Sequence, residues 1–244
     1  MQKYKIHDLT PLMRVSLNAE PEAIDIDIER SAVCVIDMQN FDVKPGGAFD
    51  LTGVDITHGQ RVIAPIQRVL TLARSIAMPV IFTRTGIPRD RLLWPTEDSP
   101  WYWKDIVYRS NLNDPAMQHG STVEGSWGSE IIEELTPQEE EHVVFKRLYS
   151  AFQRTDFDLI LRRLGTRYLF LTGIGTPTCV EATARDAYFH EYWPIVIQDC
   201  CGAILPETHQ QALFAIKRRY GWVTSSENLE TAIKAASKQS PGTT

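Results

Sequence analysis

The sequence predicts an α/β fold, a mainly parallel sheet of five or six strands with helices on both faces. Two observations lead there. Short, β-rich apolar runs alternate along the chain with longer segments of helical period, the pattern left by parallel strands joined through crossover helices. The chain also has 244 residues, 43% of them hydrophobic, enough to bury a full core in one large domain rather than two small ones.

Residues 1–30 read as an N-terminal extension and residues 31–237 as the domain proper. "SAVCVIDM" (Ser31 to Met38) is the first strand. A helix follows in which Val62, Ile66, Val69, Ala73 and Ile76 recur at spacings of three and four along one face, with Pro65 in its first turn or kinking it. "PVIFTRT" (Pro79 to Thr85), "HVVFKR" (His142 to Arg147), "RYLFLTGI" (Arg167 to Ile174) and "WPIVIQD" (Trp193 to Asp199) supply four more strands, and "GWVT" (Gly221 to Thr224) a short sixth. Further helices are expected at Ser129 to Leu135, Asp156 to Leu164, Thr178 to His190, Pro206 to Arg219 and Glu227 to Ser237. Two stretches break the alternation: Asn40 to Ile56, containing "KPGGAFD", and Gly86 to Trp127, where Trp94, Trp101 and Trp103 stand among several prolines. A structureless loop of that length is uncommon in a compact domain and is usually functional. Residues 86–127 are therefore expected to cover a pocket or contact a neighbouring subunit, and residues 238–244 to form a disordered tail.

A net charge of -6 gives no basic footprint for nucleic acid. No apolar stretch approaches the ~20 residues of a membrane span. The first residues lack the apolar core and small-residue cleavage site of a secretory signal, so a cytoplasmic protein with a small-molecule partner is expected. Cys34, Cys179, Cys200 and Cys201 show no paired metal spacing, and the adjacent Cys200 and Cys201 would form only a strained vicinal disulfide. Reduced thiols are the simpler reading.

Ligands of an open parallel sheet bind beyond the carboxyl ends of its strands. Three chemically capable residues fall there: Asp37 after the first strand, Lys146 at the end of the third and Cys179 after the fourth. Alone, Asp37 reads equally as a turn cap and Lys146 as a lysine reaching for solvent. Cys179 follows "TGIGTPT", in which Gly173 and Gly175 allow tight backbone passage, Thr176 suits an N-cap and Pro177 suits the first helical position. In a first helical turn the dipole and a nearby lysine favour a thiolate, and the Gly175 and Cys179 N–H groups form a natural oxyanion pair. Cys179 is thus either a gap-filling core residue or a nucleophile, whereas Cys34, Cys200 and Cys201 read as buried apolar residues. No histidine is placed as its base, which favours a carboxylate. Asn40, Phe41, Tyr149 and Phe152 follow the strand ends closely enough to line a small pocket, with core packing an equal reading for the aromatics.

The stretches "VIDMQNFDVKPGGAFD", "VFKRLYSAFQRTDFDLILRRLG" and "LTGIGTPTCVEATARDAYFHEYWPIVIQD" resemble three ordered motifs of the isochorismatase-like cysteine hydrolases, over about Ser31 to Val223. The resemblance implies a Rossmann-like three-layer αβα sandwich, a catalytic Asp37, Lys146 and Cys179, and assembly as a homodimer or homotetramer. It favours amide hydrolysis, and within that branch the enzymes acting on ureidoacrylate- or biuret-like compounds. The alternatives are another small carboxamide, as in the nicotinamidase-like and carbamoylsarcosine amidase-like members, or a silent binding member of the fold. No cofactor or catalytic metal is expected, because "TRTGIPRDRLLWP" stands where nicotinamidases carry an Asp-x-His-x-x-His site. A nucleotide-binding module shares the strand pattern, but no Gly-x-Gly-x-x-Gly follows the first strand. Two positions depart from relatives: Pro177 replaces a polar residue of the nucleophile loop, and Arg84 and Gly86 stand where ureidoacrylate hydrolases have Asn and Trp. Arg84 either grips a substrate carboxylate or is a structural strand-end arginine.

Overall fold

The structure, a computed structural model, describes residues 14–104 and 119–239. Two short strands, β1 (Arg14–Leu17) and β2 (Ile24–Asp27), pair antiparallel with each other. The main sheet follows, built from β3 (Ser31–Ile36), β4 (Val80–Thr85), β5 (His142–Lys146), β6 (Tyr168–Ile174), β7 (Trp193–Gly202) and β8 (Trp222–Thr224). Its strands are all parallel and lie in the order β5-β4-β3-β6-β7-β8. The chain starts in the middle, winds to one edge, then returns and winds to the other. Between β3 and β6 the winding direction reverses, and there the loops diverge to leave a crevice at the carboxyl ends.

The helices are α1 (Asn40–Val43), α2 (Ala48–Leu51), α3 (Thr57–Ser75), α4 (Pro100–Lys104), α5 (Phe157–Arg163), α6 (Glu181–Phe189), α7 (Pro206–Arg219) and α8 (Ser226–Gln239). Alternating strand residues feed two cores. Val33, Val35, Phe82, Phe170, Ile195 and Ile197 pack on one face against Ile66, Val69 and Leu70 of α3 and Leu229 and Ile233 of α8. Ala32, Cys34, Ile36, Ile81, Leu169, Leu171 and Val196 pack on the other, against Leu161, Ala184, Ala187, Leu213 and Ile216. Period-two burial on both faces makes the sheet the middle of three layers, as expected.

The structure differs from the sequence-based expectations at several points. Within the expected extension, Val15, Leu17, Ile24 and Ile26 are buried in the α3 and α8 core, and Glu20 exchanges two backbone hydrogen bonds with Val223 beside the last strand. The helix expected at Ser129 to Leu135 is instead two short 3₁₀ turns, Trp127–Ser129 and Glu133–Leu135. Between them the Glu130 carbonyl accepts from Asn40 N–H and the Ile132 N–H donates to Met38 O, so tertiary pairing replaces the helical ladder. Helix α3 begins well upstream of Pro65, which therefore sits in the helix interior, where it removes one ladder bond. Strand β7 runs through Cys200 and Cys201, and these and Cys34 are buried, unpaired thiols as expected.

Residues 105–118 of the excursion and residues 240–244 of the expected tail lie outside the described residues. The two ends of the excursion are joined: Ile87 N–H donates to Thr122 O and Glu124 N–H to Ile87 O. No helix among the described residues is long and apolar enough to cross a membrane.

Candidate active site

The carboxyl ends of β3, β5 and β6 bring the three strand-end residues together. Lys146 Nζ lies 2.6 Å from Asp37 Oδ2 and 3.3 Å from Cys179 Sγ, and donates also to Leu148 O at 3.3 Å. Lys146 is 1% exposed, Asp37 2% and Cys179 9%, so the group is nearly dry and its charges interact strongly.

Local backbone sets each side chain. Asp37 leaves β3 with φ 53°, a left-handed conformation that costs a non-glycine residue about 1–2 kcal/mol. It is held there by Thr83 of the neighbouring strand, whose hydroxyl donates to Asp37 Oδ1 at 2.7 Å and whose carbonyl accepts the Asp37 N–H. The other oxygen, Oδ2, has no aligned hydrogen-bond donor. It meets Lys146 as an ion pair and keeps its lone pairs for a proton. On β6, Gly173 has φ +113°, and a Cβ there would stand 2.0 Å from the Ile36 carbonyl oxygen; only glycine lets the strand pass β3 at this point.

Gly175, at φ +73°, caps the turn that carries Cys179. The cap is thus Gly175 rather than Thr176, and residues Thr176–Val180 form a single π-helical turn before α6 begins, a wide turn often found at functional sites. Within it Thr178 N–H and Val180 N–H both donate to Gly175 O, and Pro177 has no N–H to give. A Cβ on Gly175 would lie 3.5 Å from Cys179 N, so the missing side chain keeps open the space in front of that amide. The Thr176 hydroxyl donates to Gly202 O at 2.9 Å and accepts from His209 Nδ1 at 2.9 Å.

The resting charge state reverses one expectation. Burial pushes the Cys179 thiol up to about 12; the Lys146 ammonium pulls it down, but Asp37 pushes it further up. The thiol is therefore protonated at rest, and the lysine and turn dipole do not outweigh desolvation. Burial also disfavours the Lys146 charge, yet Asp37 and Cys179 hold its ammonium above the ordinary lysine range.

Asp37 and Cys179 line a cavity of about 450 Å³, a size suited to a small organic molecule, with Lys146 buried behind them. Of the residues expected to line it, Phe41 and Tyr149 do, with Asp37, Gly175 and Cys179. Asn40, Arg84 and Phe152 do not. Asn40 is buried and donates to Trp127 O at 2.9 Å. Arg84 pairs with Glu130 at 2.9 Å. Phe152 packs against Phe157, His190 and Tyr192.

The wall includes residues that the sequence did not single out, among them Phe49, His58, Lys104, Arg147 and Leu205; Trp101 lines it as one reading of the excursion allows. Arg147 carried a signal in its adjacency to Lys146, whereas His58, in the first turn of α3 and far from any strand end, carried none. His58 Nδ1 lies 2.7 Å from Asp55 O. A carbonyl only accepts, which assigns the ring hydrogen to Nδ1, and burial lowers the imidazolium so that the ring is neutral. Among the described residues no group of three or more His, Cys, Asp or Glu side chains could hold a metal ion.

A parallel sheet of this order with a buried carboxylate, ammonium and thiol at its reversal point defines the class: a three-layer α/β protein equipped for thiol chemistry. Residues 31–228 match the family model described as the isochorismatase domain. The chain belongs to the isochorismatase-like hydrolase family. Solved structures agree. A cysteine hydrolase from Pseudomonas syringae pv. phaseolicola 1448A is 27% identical, with 86% of this chain and 95% of that one covered at a TM-score of 0.71. An N-carbamoylsarcosine amidase from Thermoplasma acidophilum is 26% identical over 81% of this chain and 97% of that one, TM-score 0.61. A pyrazinamidase from Pyrococcus horikoshii, in complex with zinc, is 25% identical over 80% of this chain and 99% of that one, TM-score 0.64.

Proposed function

We propose that this protein is a cysteine-dependent amidohydrolase that cleaves the C–N bond of a small ureido, carbamoyl or carboxamide compound. The observation that carries the reading is the contact of Lys146 Nζ with both Asp37 Oδ2 and Cys179 Sγ, the two of which line an otherwise largely apolar cavity. Likeness to a carbamoylsarcosine amidase and a pyrazinamidase supports amide substrates, and the ureidoacrylate- and biuret-like motifs of the sequence support a ureido compound among them. Family resemblance supports a homodimer or homotetramer.

In this mechanism Asp37 Oδ2 accepts the Cys179 proton as sulfur attacks the carbonyl, since a thiol held near 12 supplies too little free thiolate. The Lys146 ammonium stabilises the charge on sulfur as it forms. The tetrahedral oxyanion is received by the Gly175 and Cys179 N–H groups. Asp37 then passes its proton to the departing nitrogen, the C–N bond breaks, and ammonia or an amine leaves an S-acyl or S-carbamoyl enzyme. Water, deprotonated by Asp37, hydrolyses the thioester and returns the proton to sulfur.

The test is ammonia release from ureidoacrylate, biuret, N-carbamoyl amino acids and nicotinamide by wild type and Cys179→Ala, with intact-mass detection of the acyl adduct after rapid quench. Release that depends on Cys179, with an adduct of the acyl mass, is expected. Equal release by Cys179→Ala would reject covalent catalysis.

A further inference from the structure

We infer that the substrate is an anion: a small amide or ureido compound bearing a carboxylate at the end away from the scissile carbonyl, with that carboxylate held by Arg147 and Lys104. This rests on the amidohydrolase reading and names the substrate class within it.

Both cations line the cavity of the candidate active site. Several basic side chains elsewhere are matched, among them Arg74 with Glu141, Arg84 with Glu130, Arg185 with Glu181 and Lys146 with Asp37. Among the described residues, Arg147 and Lys104 have neither an ion pair nor a side-chain hydrogen bond. Two carboxylates also face the cavity, Asp37 and Asp42. Asp37 is neutralised by Lys146, and Lys104 and Arg147 together outnumber Asp42. His58 adds no charge, because its ring is neutral. The rest of the wall is largely apolar, with Phe41, Phe49, Trp101, Ile174 and Leu205. A guanidinium beside such surfaces has given up part of its water, and a carboxylate oxygen pair is the partner whose geometry matches its fork.

Depth fixes which end of the substrate goes where. Asp37, Lys146 and Cys179 are buried, Arg147 is half-buried and Lys104 is exposed. The reacting amide therefore enters first and the carboxylate stays at the rim. Arg147 follows Lys146 directly in the chain, so one strand end supplies both the ammonium at the sulfur and the guanidinium for the far end of the molecule. Arg84, the arginine that the sequence offered for this task, is spent on Glu130.

The experiment uses matched acid and neutral compounds: an N-carbamoyl amino acid with its methyl ester, and succinamate with succinamide. Ammonia release is measured for wild type, Arg147→Gln, Arg147→Lys and Lys104→Ala. Binding of the same four compounds to Cys179→Ala, with and without Arg147→Gln, is measured by calorimetry at low and high salt. Wild type is expected to favour the acids. Arg147→Gln is expected to raise KM for the acid about 10- to 100-fold, at least about tenfold more than for its neutral partner, with Arg147→Lys recovering part of the loss. Binding of the acids is expected to weaken with salt.

If neutral compounds are hydrolysed as well as the acids and Arg147→Gln does not discriminate between them, the anion site is wrong and the amidohydrolase reading stands. If the acids bind in a salt- and Arg147-dependent way but nothing is hydrolysed, the anion site stands and the amidohydrolase reading falls. Neither binding nor hydrolysis of any of the four overturns both.

Discussion

Replacing Asp37 by asparagine separates two effects that this carboxylate exerts on Cys179, and they have opposite signs. As a negative charge, Asp37 opposes formation of the thiolate; as the base of the proposed mechanism, it makes attack possible. The contacts of 2.6 and 3.3 Å that meet at Lys146 Nζ limit the Asp37 Oδ2 to Cys179 Sγ separation to about 5.9 Å. At an effective dielectric constant of about 20, a unit charge at that distance contributes about 2.8 kcal/mol, or about 2 pKa units. The carboxamide of Asp37→Asn keeps an oxygen that accepts from Thr83, loses the charge, and replaces the oxygen facing Lys146 with an N–H donor that the ammonium cannot bond. The Cys179 thiol, pushed up to about 12 in the native site, is expected to fall towards about 10 in this variant. Iodoacetamide alkylation near pH 8 should then accelerate about tenfold, a ~100-fold gain in thiolate partly offset by the weaker nucleophilicity of a less basic sulfur, while amide turnover drops about 10²- to 10⁴-fold for want of the base. Intact-mass measurement of alkylation against pH reads the first number and ammonia release the second, with Cys179→Ala identifying the modified thiol. Cys34, Cys200 and Cys201 are buried in strands away from the cavity wall, so they contribute no fast phase. Alkylation that slows or stays the same, with turnover retained, would refute both the electrostatic coupling and the role of Asp37 as base.

Two further variants test the scaffold around the site. Gly173→Ala puts a methyl 2.0 Å from the Ile36 carbonyl oxygen at φ +113° and is expected to lose at least about 3 kcal/mol in urea unfolding; a loss under about 1 kcal/mol would mean that β3 and β6 can separate there. Arg84→Gln removes a partly exposed ion pair with Glu130 and is expected to change stability by less than about 1 kcal/mol and to leave the kinetics as they are; a KM raised tenfold for acids would return the carboxylate site to Arg84.

The sheet and the trio at its edge were legible because one rule connects them. Apolar runs mark parallel strands, parallel strands point their carboxyl ends the same way, and polar residues at those ends must share an edge. Asp37, Lys146 and Cys179 come from three separate strand ends, yet each stands close to an apolar run or a glycine turn. The first hairpin was also written in the chain, since burial alternates through β1 and much of β2, but four-residue strands give a weak periodic signal. The helix expected at Ser129 to Leu135 failed for another reason. Its apolar residues have helical spacing, but Glu130 and Ile132 form backbone bonds with Asn40 and Met38, close to the site, and a distant partner is invisible to a local pattern.

Residues around the trio were least legible. Arg84 and Arg147 both stand at strand ends and look alike in the sequence; Glu130, brought alongside Arg84 by the return of the excursion, binds one and leaves the other facing the cavity. Asn40 and Phe152 likewise follow strand ends closely, yet one is consumed by the Trp127 carbonyl and the other by an aromatic cluster.

By itself the sequence determined the parallel sheet, its two buried faces and the three residues that meet at its edge, because these depend on periodicity and on the shared direction of the strands. Tertiary structure alone decided the charge state of Cys179 and the identity of the cavity wall. Desolvation and ion pairing depend on which groups crowd together from distant parts of the chain, and burial at Cys179 outweighs the lysine and turn that, read locally, favour a thiolate.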